Sequence, residues 1–320
     1  MLKIFSEASK DKGFGHFVRM SSICEELLAD NVSVILYLDA DQIAKQMLAK
    51  NYVRFYNWTN NSNAISELEM DDYVLVDSYN VNLEFLEEMH KHCRELIIID
   101  DNNRLDYHNM IIINPNYFGE TLNYPQQNEN VYFVGKDCTL LRKEFVFEAS
   151  IRTVNKTVKR VLITFGGTDV FSATYKVIER IKHISEQVQL DVVATKAFSN
   201  LENIKKLLSI DDKLHLDIDA RSMSLLMKTA DFAVASAGGT TNELIKMQCP
   251  SVLMIVADNQ KLNADYLKKM NMAEFITLEN MDSIKKMFSY QHRLNIVYKL
   301  AEKRSEKSAI DIIKDLIRGA

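Results

Sequence analysis

His16 sits just behind a glycine-rich turn, in the stretch Lys10–Leu28, KDKGFGHFVRMSSICEELL. An apolar-periodic helix is predicted from about His16 onward. A helix N-terminus disfavours positive charge, and Arg19, one turn along on the same face, pushes the same way. A neutral imidazole so placed is suited to general-base chemistry. Nothing else in the segment resembles a nucleophile, so the proton to be taken would come from water or an acceptor hydroxyl. The plainer alternative is a histidine that only caps its loop.

The chain has 9 glycines in 320 residues, and six form three pairs: Gly13/Gly15, Gly166/Gly167 and Gly238/Gly239. Each pair follows a predicted strand and precedes a predicted helix. Such loops let backbone N–H groups approach an anion. One pair alone would be read as a tight turn; three in equivalent places suggest ligand loops. The richest is VASAGGTTNELIKM, 234–247, where Ser236, Ala237, Gly238, Gly239, Thr240 and Thr241 bring small side chains, hydroxyls and free amides. That suits a diphosphate, with Glu243 about one turn on to accept from ribose hydroxyls. A capping box of Thr240 and Glu243 is the structural alternative.

Other motifs fail in detail. No loop carries the G-K-[ST] of a P-loop. A dinucleotide fingerprint starting at Gly13 would need glycine at position 18, which is Val18, so an NAD enzyme is disfavoured although Asp39 ends the second strand. A hydrolase elbow around Ser236 fails at Val234. His90 and His92, with Cys93 beside them, stand at i and i+2 and do not face each other on a helix, so a metal site is not expected there. DAD (39–41) and DID (217–219) read as strand-end or helix-start acids. No metal or other cofactor is expected.

The elements that must position these residues alternate. Strands are predicted at 2–5, 32–38, 52–56, 73–77, 95–99 and 110–114, with helices between several of them, as at 82–93. The pattern resumes with strands at 159–165, 190–195, 213–218, 231–236, 251–256 and 274–278, and a helix near 172–185. Near-continuous apolar strands suit parallel sheets covered on both faces. The reading is α/β, with two doubly wound domains, 1–155 and 156–320, facing a central cleft. The tail, roughly 293–318, reads as one long helix ending at Gly319, packing back on the first domain. Ligand loops belong at the carboxyl ends of the strands.

A net charge of −5 gives no electrostatic footprint for nucleic acid or an anionic membrane. No apolar run approaches the ~20 residues of a membrane helix, and no signal peptide opens the chain. Four scattered cysteines fit a reducing compartment. The expectation is a cytoplasmic monomer acting on a small molecule.

In order along the chain, GFGHFVR, DSY (77–79), IDD (99–101), FGGTD (165–169), SAGGTTNEL (236–244) and DNQ (258–260) resemble a known family. It comprises the UDP-2,4-diacetamido-2,4,6-trideoxy-β-L-altropyranose hydrolases of pseudaminic acid biosynthesis, with similar spore-coat polysaccharide proteins. The resemblance spans about residues 1–280, with GFGH and SAGGTTNEL its most specific parts. It implies the GT-B fold of glycosyltransferases, two Rossmann-like domains. It implies that His16 activates water, which displaces UDP from the anomeric carbon with inversion. Asp77 and Tyr79 would hold the sugar, with Gly13, Gly15 and Arg19 also in the substrate site. Gly166, Gly167, Thr168, Ser236, Ala237, Gly238, Gly239 and Thr240 would cradle the diphosphate, Glu243 would bind ribose, and Asn259 and Gln260 would face the sugar. The family's G-x-P turn is Gln248-Cys249-Pro250 here. A glycosyltransferase using a UDP-sugar donor and a non-catalytic sugar-nucleotide binder are the alternatives.

Overall fold

The structure is a computed structural model. It describes residues 1–9, 15–126, 128–145, 150–166, 169–196, 198, 200–209, 211–218, 220 and 222–319. The chain forms two compact units, Met1–Lys143 together with Ser305–Ala320, and Glu144–Arg304.

The first unit begins with β1 (Leu2–Ala8), α1 (Gly15–Ala29), β2 (Val34–Ala40), α2 (Gln42–Met47), β3 (Val53–Phe55) and β4 (Tyr73–Asp77). It continues with α3 (Leu83–His90), β5 (Glu95–Ile99), β6 (Ile111–Asn114) and β7 (Val131–Val134). The seven strands form one parallel sheet in the order β3-β2-β1-β4-β5-β6-β7. Alternate side chains feed two cores. Leu2, Ile4, Leu36, Leu75, Ile97 and Ile113 face one side, where they meet Met20, Ile23 and Leu27 of α1. Phe5, Tyr37, Val74, Val76, Ile98 and Ile112 face the other, around Trp58. Burial on both faces is why these strands read as unbroken apolar runs. The half-exposed edge strand β7, VYFV, is also an apolar run but was not among the predicted strands.

The second unit holds β8 (Arg160–Thr164), α4 (Ala173–Ile184), β9 (Gln189–Ala194), α5 (Leu201–Leu208), β10 (Leu214–Ile218) and α6 (Met223–Thr229). It goes on through β11 (Phe232–Ser236), α7 (Thr240–Lys246), β12 (Ser251–Met254), α8 (Lys261–Lys269), β13 (Glu274–Ile276), α9 (Ser283–Lys286) and α10 (Tyr290–Ala301). Its parallel sheet runs β10-β9-β8-β11-β12-β13. In both sheets the strand order reverses beside the first strand of the unit, between β1 and β4 and between β8 and β11. Such switch points are where open α/β sheets bind ligands.

The polar stretch around 150–160 is stitched to the second unit. The Arg152 guanidinium donates to the carbonyls of Met227, Met247, Lys228 and Ala230. Asp231 accepts from the amides of Lys159 and Arg160 and from Asn155. Arg293, fully buried, donates to the Asn155 carbonyl at 2.5 Å.

The tail is two helices rather than one. After α10 the charged run 302–308 leaves the helix, and α11 (Ala309–Arg318) restarts it within the first unit. The restart is local: Ser308 Oγ accepts from the Asp311 amide and the Asp311 carboxylate accepts from the Ser308 amide, a capping box. Ile310 and Ile313 then join the α1 core. Ser308→Ala should therefore cost about 1 kcal/mol. The expected readout is a lower urea midpoint with an unchanged slope; an unchanged midpoint would show that packing alone holds α11.

Candidate functional site

In the first unit the site forms where β1, β4, β5 and β6 end. Gly15 opens α1 with open space around it, and His16 follows, 8% exposed. Asp77, the last residue of β4, pairs in register with Ser6 of β1 and is wholly buried. His16 Nδ1 lies 2.8 Å from Asp77 Oδ1. Arg19 donates from Nε to Asp77 Oδ2 at 2.6 Å and from Nη2 to Oδ1 at 2.5 Å. Its Nη1 reaches both oxygens of Asp101, just beyond β5, at 3.0 Å each. Asp101 also accepts from the Tyr79 hydroxyl and, at 2.7 Å, from Asn116 Nδ2 in the turn after β6. The Tyr79 ring stands edge-on to the His16 ring with centroids 4.6 Å apart.

The charges reinforce one another. Burial alone would raise the Asp77 carboxyl, but the charges of Arg19 and His16 and their hydrogen bonds draw it down to about 2. Asp101 is likewise below its ordinary range, burial being outweighed by Arg19. Burial and the Asp101 charge push the Tyr79 hydroxyl well up, so it stays a proton donor. An Asp77 carboxylate is an acceptor only, so the facing His16 nitrogen carries a proton, and in the neutral ring Nε2 is then the atom with the lone pair. Arg19 does not face His16 as an unpaired charge: its guanidinium is spent on two carboxylates. The resemblance gave Asp77 to the sugar, but both its oxygens are engaged by His16 and Arg19. Tyr79, 37% exposed, keeps an open side while its hydroxyl is committed to Asp101.

Behind this group Glu7, 1% exposed, holds the 78–80 turn through the Ser78 hydroxyl, the Tyr79 amide and the Asn80 side chain. Asn114 steadies the other side by donating to the Asp101 carbonyl at 2.9 Å. Gly119 is the residue that leaves it room, since a Cβ there would lie 2.8 Å from Asn114 Cγ. Asp101, Asn114 and Asn116 were not singled out as site residues. Their signals in the sequence are a polar residue at or just past the end of an apolar strand and, for Asp101, its place in the IDD stretch of the resemblance.

In the second unit the glycine loops lie at the ends of β8 and β11. Gly166 has φ +79°, and a Cβ there would stand 3.9 Å from Ser236 Oγ, so the two loops are neighbours. Gln260 Oε1 accepts from the Val256 amide at 3.0 Å, and its Nε2 would be 3.2 Å from a Cβ on Gly238. Asn263 of α8 donates to the Ala237 carbonyl at 3.0 Å and to Thr241 Oγ1 at 2.5 Å. Gly239 has open space around it, and no side-chain hydrogen bond caps α7, so the alternative capping box of Thr240 and Glu243 does not form. Glu243 lies within α7, and Asn259 is exposed in the turn Asp258–Gln260. Gly13, Gly167 and Thr168 lie outside the described residues.

A cavity of about 470 Å³ opens beyond β12 and β13, lined by Phe171, Ile255, Phe275, Leu278 and Lys286 among others. Among the described residues no group of three or more His, Cys, Asp or Glu side chains is placed to hold a metal, and no helix is long and apolar enough to cross a membrane.

Two parallel-sheet, Rossmann-like units with loops gathered at the switch points define a GT-B fold. Solved glycosyltransferases share it. A spinosyn rhamnosyltransferase complexed with thymidine diphosphate superposes with a TM-score of 0.63 at 13% identity, over 99% of this chain and 100% of that one. Phytolacca americana UGT2, complexed with UDP-2-fluoro-glucose and pterostilbene, gives 0.65 at 10%, over 100% and 99%. No family model matches the chain. By sequence, it is 27% identical over 284 residues to an uncharacterized protein of Methanocaldococcus jannaschii, covering 84% of this chain and 59% of that protein. It is 22% identical over 274 residues to a spore coat polysaccharide biosynthesis protein of Bacillus subtilis, covering 82% and 79%. It is 23% identical over 286 residues to the Helicobacter pylori pseudaminic acid cytidylyltransferase and UDP-2,4-diacetamido-2,4,6-trideoxy-β-L-altropyranose hydrolase, covering 88% of this chain and 49% of that protein. The chain thus spans three fifths or less of two of these relatives.

The depressed Asp77 carboxyl has a stability consequence. Its folded value of about 2 lies below the ordinary 3.8, so its contribution is fully present above about pH 4 and is lost as pH falls toward 2. At about 1.4 kcal/mol per pH unit it is worth about 2 kcal/mol. In urea unfolding, wild type should exceed Asp77→Asn by a margin at pH 5 that shrinks at pH 2.5. A constant margin would contradict the charge account.

Proposed function

We propose that this chain is a nucleotide-sugar enzyme that breaks the bond between the anomeric carbon and the diphosphate of a UDP-sugar, with His16 as general base. The observation that carries the reading is the buried Asp77–His16 pair, which leaves Nε2 as the proton acceptor at the end of a parallel sheet. A histidine oriented by a buried carboxylate is suited to deprotonating a hydroxyl or water as it attacks. The similarity to the H. pylori protein supports water as nucleophile and a 2,4-diacetamido-2,4,6-trideoxy sugar as the group released.

In this reading the water oxygen forms the new bond to the anomeric carbon and its proton passes to His16 Nε2. The bond from carbon to the diphosphate oxygen breaks, UDP leaves with the electron pair, and the configuration inverts. The second unit would bind UDP. Gly166, Gly167, Thr168, Ser236, Ala237, Gly238, Gly239 and Thr240 would face the diphosphate, Glu243 the ribose, and Asn259 and Gln260 the sugar. Tyr79 would offer its open side to the sugar, while Gly13, Gly15 and Arg19 would shape the base-bearing loop and helix. No metal or other cofactor enters the step, and a cytoplasmic monomer is the setting proposed. A second reading, transfer to an acceptor hydroxyl, draws on the GT-B neighbours. It keeps the same base and leaving group and changes only the attacking oxygen.

The test is an NMR time course with UDP-2,4-diacetamido-2,4,6-trideoxy-β-L-altropyranose in part-labelled ¹⁸O water, without acceptor. Free sugar carrying the label is expected. Bound but intact substrate would point to an acceptor hydroxyl or a different sugar, and label in UDP would refute attack at carbon. His16→Ala should lower kcat about 10²–10⁴-fold while UDP affinity is retained; a loss under tenfold would remove the base from the mechanism. Glu243→Ala should weaken UDP binding more than it lowers kcat, and unchanged affinity would end its ribose role.

A further inference from the structure

We propose that Asp101 is a positioning residue for His16, acting through Arg19 and Asp77. The proposal rests on the general-base reading of His16 and extends it to a residue that does not touch the imidazole. Arg19 has one guanidinium and two buried carboxylates to satisfy. Two of its nitrogens, Nε and Nη2, bind Asp77, and the third, Nη1, is held by both oxygens of Asp101. Arg19 Nη2 also lies 3.2 Å from His16 Nδ1, and both approach the same oxygen, Asp77 Oδ1. Two donors therefore share one acceptor. Asp101 keeps the guanidinium drawn to its far side, which leaves room for the His16 proton on Asp77.

The surroundings of Asp101 suit only a carboxylate. Arg19 Nη1 donates to both of its oxygens, Asn116 Nδ2 to Oδ1 and the Tyr79 hydroxyl to Oδ2. These donors come from α1 and from the turns after β4 and β6. An amide at position 101 would turn its own NH₂ toward a donor whichever way it faced. Arg19 would then have Asp77 as its one full counter-charge and would compete with His16 for Oδ1. The imidazole would lose its partner at Nδ1, and with it the reason to keep Nε2 unprotonated.

The experiment is ¹⁵N NMR of the neutral His16 ring in the full chain, assigned by loss of its signals in His16→Ala. Wild type should show a protonated Nδ1 and a lone-pair Nε2. In Asp101→Asn the two ¹⁵N shifts should converge as the Nε2–H tautomer gains population, and kcat should fall tenfold or more with a smaller change in KM. Arg19→Lys is the second variant, because an ammonium cannot reach both carboxylates as the planar fork does; the same change of tautomer is expected. Unchanged signals from the other histidines will show that a variant is folded. If folded Asp101→Asn and Arg19→Lys both keep the wild-type tautomer, the proposal is overturned. A wild-type Nδ1 without its proton would instead overturn the base reading itself, and this proposal with it.

Discussion

The first unit turns on one guanidinium shared between two buried carboxylates. Arg19 lies between Asp77 and Asp101, and its charge draws both carboxyls below their ordinary range against the effect of burial. Removing one partner from such a group typically costs about 3–5 kcal/mol, because the remaining charges stay buried and uncompensated. A simple apolar packing would be at least as stable. What the charged group adds is direction: a carboxylate held on three sides fixes the plane and the tautomer of the histidine resting on it. The Asp77–His16 hydrogen bond is the end of a chain of contacts that begins at Asn116 and Tyr79.

The parallel sheet makes this arrangement possible. Each strand brings the residues at or near its carboxyl end to the same edge. Residues distant in sequence (Ser6, Asp77, Asp101 and Asn114) therefore become neighbours without long loops. Adjacent residues at a strand end can still take different work. Asp100 turns to hold its own loop, accepting from the amides of Asn102 and Arg104 and from the Tyr107 hydroxyl. Asp101 turns to Arg19. The second unit uses the same geometry with amides instead of charges. Asn263 and Gln260 brace the loop after β11, and Gly238 leaves the Gln260 side chain room to do so.

Much of this was legible in the sequence, and for a physical reason. A strand buried on both faces must be apolar throughout, so β4 and β5 were bounded to the residue. Paired glycines after strands marked the loops, and a histidine at a helix start marked the candidate base. The edge strand β7 escaped although its VYFV is as apolar as the buried strands. The tail read as one helix because no proline or glycine interrupts 293–318; the break lies in the charged run 302–308, ahead of the capping box that restarts the helix.

Amino-acid order alone determined the two parallel sheets, the placing of loops at strand ends, and the candidacy of His16 and Arg19. These follow from local periodicity and from what glycine permits. The tertiary structure decided which charges meet. Asp77 lies 61 residues from His16, and Asp101 lies 82 from Arg19. No local pattern says which of many strand-end acids will share one arginine. That choice depends on strand order and on the register of β1 against β4, set by packing across the whole sheet.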